Sequence, residues 1–186
     1  MSDKAPKSGA ALTLRKARMS DIPALIALIN GFAHDGIMLP RTEFELSEGI
    51  RDFTVVLVDG RIVGCAALHF YGPTIAEVRS LAVDRSLHGA GAGQALMGAL
   101  EREAYDYELE VVFAFTYVPG FFAKMGYHEV ERGELPLKAW KDCLRCPKFQ
   151  ACDEIAVLKI LRPGADLHHA MALETGLIQL PGTQRN

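Results

Sequence analysis

The sequence has no long apolar run and no cluster of basic residues. A membrane-spanning helix needs roughly 20 consecutive apolar residues, and residues 1–11 lack the apolar core of a signal peptide. The net charge is −3, the pI is about 6.1, and no run of lysine or arginine forms a surface for nucleic acid or lipid. We therefore expect a cytoplasmic protein with neither a nucleic-acid partner nor a membrane partner.

The chain contains only four cysteines, and in a protein of this kind they are thiols or metal ligands rather than disulfides. Cys143, Cys146 and Cys152 follow a C-x2-C-x5-C spacing that zinc or an iron–sulfur cluster could use. A fourth ligand is missing, because Cys65 falls in a predicted core strand and Asp153 is a poor partner for a soft metal. We predict thiols without a bound metal.

Two common phosphate-binding motifs are also absent. A Walker loop requires Gly-Lys followed by Ser or Thr, and that triplet occurs nowhere in the chain. The dinucleotide fingerprint G-x-G-x-x-G fails too, because its sixth position is Gln94 when counted from Gly89 and Leu96 when counted from Gly91. Both kinds of nucleotide site are excluded.

The sequence does predict a strand, a glycine-rich turn and a helix between Glu77 and Leu100. Residues 77–83 form the strand, residues 89–93 alternate Gly-Ala-Gly-Ala-Gly, and the helix opens at about Gly91. Glycines let several backbone N–H groups point to one spot, and a helix N-terminus adds unpaired donors and partial positive charge. We predict an anion site, and the alternative is a connection that binds nothing.

Apolar periodicity and turn residues predict the order β-α-α-β-β-β-α-β-α-β for one domain over residues 12–161, preceded by a disordered leader at residues 1–11. Ser20 or Asp21 caps the first helix, Thr42 caps the second, and Asp59-Gly60 turns a hairpin. The predicted elements cover residues 12–18, 22–29, 42–52, 53–58, 61–70, 77–83, 91–107, 111–116, 121–125 and 155–161, with a loop at residues 30–41.

The segment His88-Gly89-Ala90-Gly91-Ala92-Gly93 fits the pyrophosphate loop of the GNAT acetyltransferases, Arg/Gln-x-x-Gly-x-Gly/Ala, except that His88 replaces the usual Arg or Gln. Residues 36–41, 53–56, 65–68, 77–83 and 121–127 resemble, in order, segments of one branch of that superfamily. Within it the chain is most similar to short N-acetylglutamate synthases, the amino-acid acetyltransferases that lack a kinase domain.

This resemblance implies an α/β (α+β) fold with a mixed, mostly antiparallel central sheet, helices on both faces and a splayed pair of fourth and fifth strands. It implies acetyl-CoA as the cofactor, with pantetheine entering between those strands. The implied contacts of coenzyme A are Leu81, Ala82, Val83, His88, Gly89, Ala90, Gly91, Ala92, Gly93, Gln94 and Phe122.

The implied reaction is direct attack of a neutral amine on the thioester, which requires a base and a proton for the departing thiolate. Glu77 is the candidate base, directly or through a water, and its alternative is a surface carboxylate that pairs with Arg79. Tyr117 is the candidate proton donor, because Phe122 stands where many relatives have tyrosine. The alternative for Tyr117 is packing in the core or against the cofactor.

Arg41 and Arg79 are the candidate substrate ligands, because a guanidinium grips a carboxylate through two parallel hydrogen bonds. Arg41 lies in the 36–41 loop, whose basic residue meets the substrate carboxylate in the resembled family, whereas Arg79 could equally be a solvated strand residue. We expect a small amino-acid substrate, glutamate, acetylated as the entry step of arginine synthesis. The alternatives are another small amine, a protein N-terminus, or a non-catalytic module that binds acyl-CoA or a metal.

Residues 162–186 form a tail in which Leu167, Ala170, Met171 and Leu173 suggest a short amphipathic helix. Residues 177–180 are apolar for an end segment, so we predict that the tail packs on the domain or on a second copy in a homodimer. Deleting residues 162–186 should therefore lower the melting temperature or change the size-exclusion profile. If both stay unchanged, the tail has no such contact.

Overall fold

The computed structural model describes residues 11–135, 148 and 151–165. The helices and strands within these residues are β1 (Thr13–Lys16), α1 (Ile22–His34), α2 (Glu43–Glu48), β2 (Phe53–Val58), β3 (Arg61–Phe70), β4 (Ile75–Val83), α3 (Ala92–Asp106), β5 (Val111–Thr116), α4 (Pro119–Lys124), β6 (His128–Val130) and β7 (Ile155–Ile160). The strand order is β1-β2-β3-β4-β5-β7-β6, mostly antiparallel with β4 and β5 parallel. The predicted mixed, mostly antiparallel sheet is confirmed. No helix in the described part of the chain is both long and apolar enough to span a membrane.

Local turn and cap signals correctly located several elements. The hairpin of β2 and β3 has the predicted bounds, and Asp59 and Gly60 have the positive φ angles, 50° and 77°, that its two-residue turn needs. Thr42 caps α2 through a capping box, in which Thr42 Oγ1 accepts from Glu45 N and Glu45 Oε2 accepts from Thr42 N. These signals succeed because each one acts within a few residues.

The predicted loop at residues 30–41 was wrong in its first part, because α1 continues to His34. Asn30 and Gly31 are poor helix formers, but Phe32 packs on the same core as the buried Ile29. Tertiary packing thus overrides the local helix propensity. The short strand β6 was not predicted, because three residues are too few to show an alternating pattern.

The prediction for the second helix was also too long. α2 ends at Glu48 rather than residue 52, because Gly49 forms its C-cap and Ile50–Asp52 continue as a 3-10 turn. The tighter turn leads directly into β2.

The first compact unit contains the residues up to His69 together with Glu77–Tyr107. Asp21 occupies the N-cap position of α1, but its carboxylate accepts from Arg15, at 2.6 and 3.0 Å, and from Arg18 N at 2.8 Å. The bond from Arg15 holds the pKa of Asp21 below its usual value. The core of this unit contains Ile22, Leu25, Ile29, Leu46, Phe53, Val55, Cys65, Ala67 and Ala82.

The second compact unit contains Phe70–Ala76 and residues from Glu108 onward. β7 pairs with β5 on one side and with β6 on the other, both antiparallel. Thr74 O accepts from Glu110 N at 2.8 Å and from Val111 N at 3.0 Å, which joins the segment before β4 to the start of β5. The core of this unit contains Tyr71, Ile75, Val111, Phe113, Leu135, Ala156 and Leu158.

Gly64 on β3 is closely surrounded by other atoms of the first unit. A Cβ there would lie 2.8 Å from Val56 Cγ1, 3.0 Å from Ala82 O and 3.3 Å from Leu96 Cδ1. The backbone oxygen of Ala82 cannot move without shifting β4, and Leu96 is fully buried on α3. Glycine at this position therefore sets the spacing of β3, β4 and α3.

The substitution Gly64→Ala should lower the free energy of unfolding by about 1–3 kcal/mol, because the added methyl group overpacks a rigid contact. Gly31→Ala is the matched control, since a Cβ at this α1 position meets nothing within 4 Å. Urea unfolding of both variants measures the difference. A Gly64→Ala variant as stable as the wild type would show that β4 or α3 can shift to accommodate the added methyl group without loss of stability.

Candidate functional site

The site begins where β4 ends. Asp84 N donates to Val63 O at 2.7 Å, and the Asp84 carboxylate accepts from Ser86 N at 3.0 Å and from Ser86 Oγ at 2.7 Å. The bonds from Ser86 lower the pKa of Asp84, so this carboxylate stays ionised and keeps its bonds at neutral pH. Leu87 N donates to Asp84 O at 2.9 Å and closes a 3-10 turn. The chain thus leaves β4 through a fixed turn.

The glycine-rich segment follows this turn. Gly89 and Gly91 have φ angles of 82° and 85°, a left-handed conformation that favours glycine. The first hydrogen bond of α3 runs from Ala95 N to Gly91 O at 2.9 Å. The N–H groups of residues 92–94 therefore lie before the first backbone hydrogen bond of the helix. A Cβ at Gly89 would meet nothing within 4 Å, so the space beside it is open. This geometry is compatible with the predicted anion site, which stays a prediction.

His88 makes contacts that the sequence did not reveal. Its Nε2 donates to Val83 O at 2.9 Å, and its ring stacks on Phe32 of α1, with centroids 6.4 Å apart and planes 8° from parallel. The guanidinium of Arg85 lies 5.1 Å from the centroid of the same Phe32 ring and pairs with Asp35. His88 therefore ties the turn to α1 and to the end of β4. Residues so far apart in sequence leave no local signal.

Glu77 and Arg79 lie on one face of β4 and bond each other. Arg79 Nε donates to Glu77 Oε2 at 2.6 Å. The side chain of Arg79 is only 14% exposed and that of Glu77 only 9%. The pairing considered as the alternative role for Glu77 is present, but this carboxylate is buried rather than at the surface. A buried carboxylate needs such a partner, because an unpaired charge in this position would be costly. The predicted role of Arg79 as a substrate ligand stays a prediction.

Ser80 interrupts β4 immediately after this pair. Its φ of 49° is left-handed, which is unfavourable for a residue with a side chain. The buried Cys65 thiol donates to Ser80 O at 3.6 Å, and burial raises the pKa of Cys65 to about 12, so the thiol keeps its proton. The irregularity separates Glu77 and Arg79 from the predicted coenzyme contacts Leu81, Ala82 and Val83. Irregularities of this kind in strands are frequent beside active sites.

Arg41 lies in the loop between α1 and α2, in the same unit as Glu77. The side-chain amide of Asn30 bonds both backbone groups of Arg41: Oδ1 accepts from Arg41 N at 2.9 Å and Nδ2 donates to Arg41 O at 3.0 Å. Sequence reasoning missed Asn30. Its signal was an amide residue in the apolar register of a helix, where asparagine is unfavourable.

Tyr117 and Phe122 lie in the second unit. Lys148 Nζ donates to Tyr117 Oη at 3.2 Å, and burial, the largest influence, raises the pKa of Tyr117 above its usual value. Tyr117 is therefore protonated at neutral pH, as a proton donor must be. Phe122 is buried, with edge-on contacts to Phe121 and Tyr127 at centroid distances of 5.4 and 5.3 Å. The predicted coenzyme contact of Phe122 stays a prediction.

Of the predicted thiol cluster, Cys143 and Cys146 lie outside the described residues. Cys152 is half-buried, and its Sγ lies 3.8 Å from Glu154 Oε2. Within residues 11–135, 148 and 151–165, no three His, Cys, Asp or Glu side chains converge as metal ligands would.

Sequence comparisons connect this geometry to known proteins. The chain matches the model of the acetyltransferase (GNAT) family over residues 27–127. It is 42% identical, over 148 residues, to an uncharacterized N-acetyltransferase of Chlorobaculum tepidum, a match that covers 80% of this chain and 96% of that one. An amino-acid acetyltransferase of Mycobacterium tuberculosis is 36% identical over 121 residues, which are 63% of this chain and 69% of the relative.

Solved structures give the same result. N-acetylglutamate synthase from Neisseria gonorrhoeae, complexed with coenzyme A and N-acetyl-glutamate, superposes with a TM-score of 0.74 at 28% identity. That match covers 82% of this chain but only 36% of the gonococcal one, so this chain spans about a third of its length. A Mycobacterium tuberculosis protein in complex with CoA and NLQ gives a TM-score of 0.70 at 29% identity, over 81% of this chain and 99% of that one.

Proposed function

This chain belongs to the acetyltransferase (GNAT) family and is an acetyl-CoA-dependent N-acetyltransferase, and we propose that its acceptor is the α-amine of glutamate. The reaction then forms N-acetylglutamate and is the entry step of arginine synthesis. The amino-acid acetyltransferases among its relatives, and the similarity to a synthase crystallised with N-acetyl-glutamate, support this choice. The observation that carries the proposal is the occurrence in one compact unit of a left-handed glycine turn at a helix N-terminus, a buried carboxylate and an arginine on a clamped loop.

Coenzyme A would be held by the backbone rather than by basic side chains. Ala90 N already donates to Leu87 O at 3.1 Å, so the N–H groups that suit the diphosphate are those of Gly89 and of residues 91–94. Left-handed Gly89 and Gly91 open the turn, and the N-terminus of α3 adds partial positive charge. The backbone of Leu81, Ala82 and Val83 would lie along the pantetheine. Bound acetyl-CoA supplies the activated acetyl group.

Glu77 is the base in this proposal. The α-amine of an amino acid is an ammonium at neutral pH, so it must lose a proton before its nitrogen can attack the thioester carbon. Glu77 takes that proton, directly or through a water, before the new N–C bond forms. As the C–S bond then breaks, the nitrogen loses a second proton, which balances the proton that the departing thiolate gains. Arg79, whose Nε bonds Glu77 at 2.6 Å, holds the carboxylate in one orientation. A fixed base loses no freedom at the moment of reaction.

Arg41 and Tyr117 complete the assignment. Arg41 would bind a carboxylate of the acceptor through its planar guanidinium. Tyr117 keeps its proton at neutral pH, and its role as proton donor to the departing thiolate of coenzyme A stays a prediction.

Acceptor choice is tested by incubating the purified protein with acetyl-CoA and one amine at a time, and following release of the free thiol. Glutamate, glutamine, aspartate, lysine and a polyamine form the panel. We expect the fastest thiol release with glutamate, because the site is proposed to bind a carboxylate of the acceptor. Glutamine has nearly the same shape as glutamate but lacks the side-chain charge. Faster release with any other amine would refute glutamate as the acceptor, and no release with any of them would refute the reaction.

The substitution Glu77→Gln should lower kcat about 10²–10⁴-fold near neutral pH, the range typical of a lost general base. The deficit should shrink as the pH rises toward the pKa of the acceptor amine, because the amine then loses its proton unaided. Melting temperatures of Glu77→Gln and of Glu77→Gln/Arg79→Gln measure the stability cost of losing the ion pair between Glu77 and Arg79.

Glu129→Gln, which changes an exposed carboxylate on β6, is the control for the loss of one negative charge and should keep full activity. If the loss in Glu77→Gln is the same at every pH, Glu77 serves only as the partner of Arg79.

A further inference from the structure

We propose that Asn30 is a positioning residue for the acceptor carboxylate. It fixes the backbone of Arg41 and thereby the point from which the Arg41 side chain extends. This inference rests on the proposed function, since it takes Arg41 as the acceptor's ligand. It names a residue on α1 that acts through Arg41 and does not itself touch the substrate.

The two bonds of Asn30 are matched to the chemistry of an amide side chain. Oδ1 accepts from Arg41 N at 2.9 Å, and Nδ2 donates to Arg41 O at 3.0 Å, so the side chain pairs with both backbone groups of a single residue. Asparagine offers one acceptor and two donors in one plane, whereas a carboxylate offers acceptors alone. Of the two, only the amide can make both bonds.

The helix that carries Asn30 is itself held in the core. Leu25 and Ile29 on α1 are fully buried, and Phe32 packs against the same cluster. Buried side chains in a close-packed core resist displacement. The amide of Asn30 is therefore a fixed point from which the Arg41 backbone is held.

The chain is fixed again immediately after Arg41. Thr42 N donates to Glu45 Oε2 at 2.9 Å, Glu45 N donates to Thr42 Oγ1 at 3.2 Å, and Leu46, one position further, is buried in the core. Arg41 thus stands between the Asn30 clamp and the capping box of α2. A loop residue held on both sides offers a ligand that needs little ordering when the substrate binds.

The test is steady-state kinetics of Asn30→Leu and Asn30→Asp with the preferred amino acid of the wild type. Leucine removes both bonds at similar volume, and aspartate retains the bond from Arg41 N alone. We expect Asn30→Leu to raise KM for the amino acid about tenfold, because it removes two modest hydrogen bonds to the Arg41 backbone. Asn30→Asp should raise it less, and KM for acetyl-CoA should stay within about twofold in both variants, because the coenzyme loop is untouched.

A double-mutant cycle with Arg41→Ala separates positioning from a general structural effect. If Asn30 acts through Arg41, adding Asn30→Leu to Arg41→Ala should raise KM for the amino acid by less than about twofold further. Ser47→Ala is the matched control, because it removes an exposed α2 bond from Ser47 Oγ to Glu43 O that does not involve Arg41. Melting temperatures confirm that each variant is folded.

An unchanged KM for the amino acid in Asn30→Leu would overturn the inference, and so would an equal rise in the wild-type and Arg41→Ala backgrounds. Both results leave the wild-type reaction, and hence the proposed function, in place. A wild-type protein that acetylates no amino acid would instead refute the proposed function and this inference with it.

Discussion

A coenzyme diphosphate must be neutralised in a chain of net charge −3 that has no cluster of basic residues. We propose that the backbone of the turn after β4 meets this constraint. Left-handed Gly89 and Gly91 open the turn, and the N–H groups at the start of α3 precede its ladder. Oriented amides cost no reorganisation when the anion arrives, whereas long basic side chains would have to be ordered. The fixed turn at Asp84 and the stacking of His88 on Phe32 hold this arrangement in place.

The same strand that feeds the turn carries the proposed chemistry. β4 holds the buried pair of Glu77 and Arg79, then the left-handed Ser80, and then the backbone assigned to the pantetheine. Gly64 sets the distance from β3 to the Ala82 carbonyl and to Leu96 of α3. Reactive groups on a rigid element keep their spacing better than groups on a loop. Arg41, which does lie on a loop, has the clamp of Asn30 and the capping box of Thr42 and Glu45 instead.

Features with short-range causes were predictable from the sequence. The Asp59-Gly60 hairpin, the Thr42 cap and the glycine turn depend on neighbouring residues, and the resemblance to GNAT enzymes supplied the fold and the cofactor. The missed features have long-range causes. α1 extends through Asn30 and Gly31 because of tertiary packing, β6 exists through its pairing with β7, and the two bonds of Asn30 join residues on different elements. Ser80 follows the polar Arg79 and so breaks the polar–apolar alternation of β4, but such a break alone does not specify a left-handed backbone.

A crystal structure of the full chain with coenzyme A would show whether the turn after β4 holds the diphosphate. We expect diphosphate oxygens at hydrogen-bond distance, about 3 Å, from backbone nitrogens of Gly89 and of residues 91–94, with the pantetheine along Leu81, Ala82 and Val83. A diphosphate held elsewhere by lysine or arginine side chains, with the glycine turn unoccupied, would contradict it.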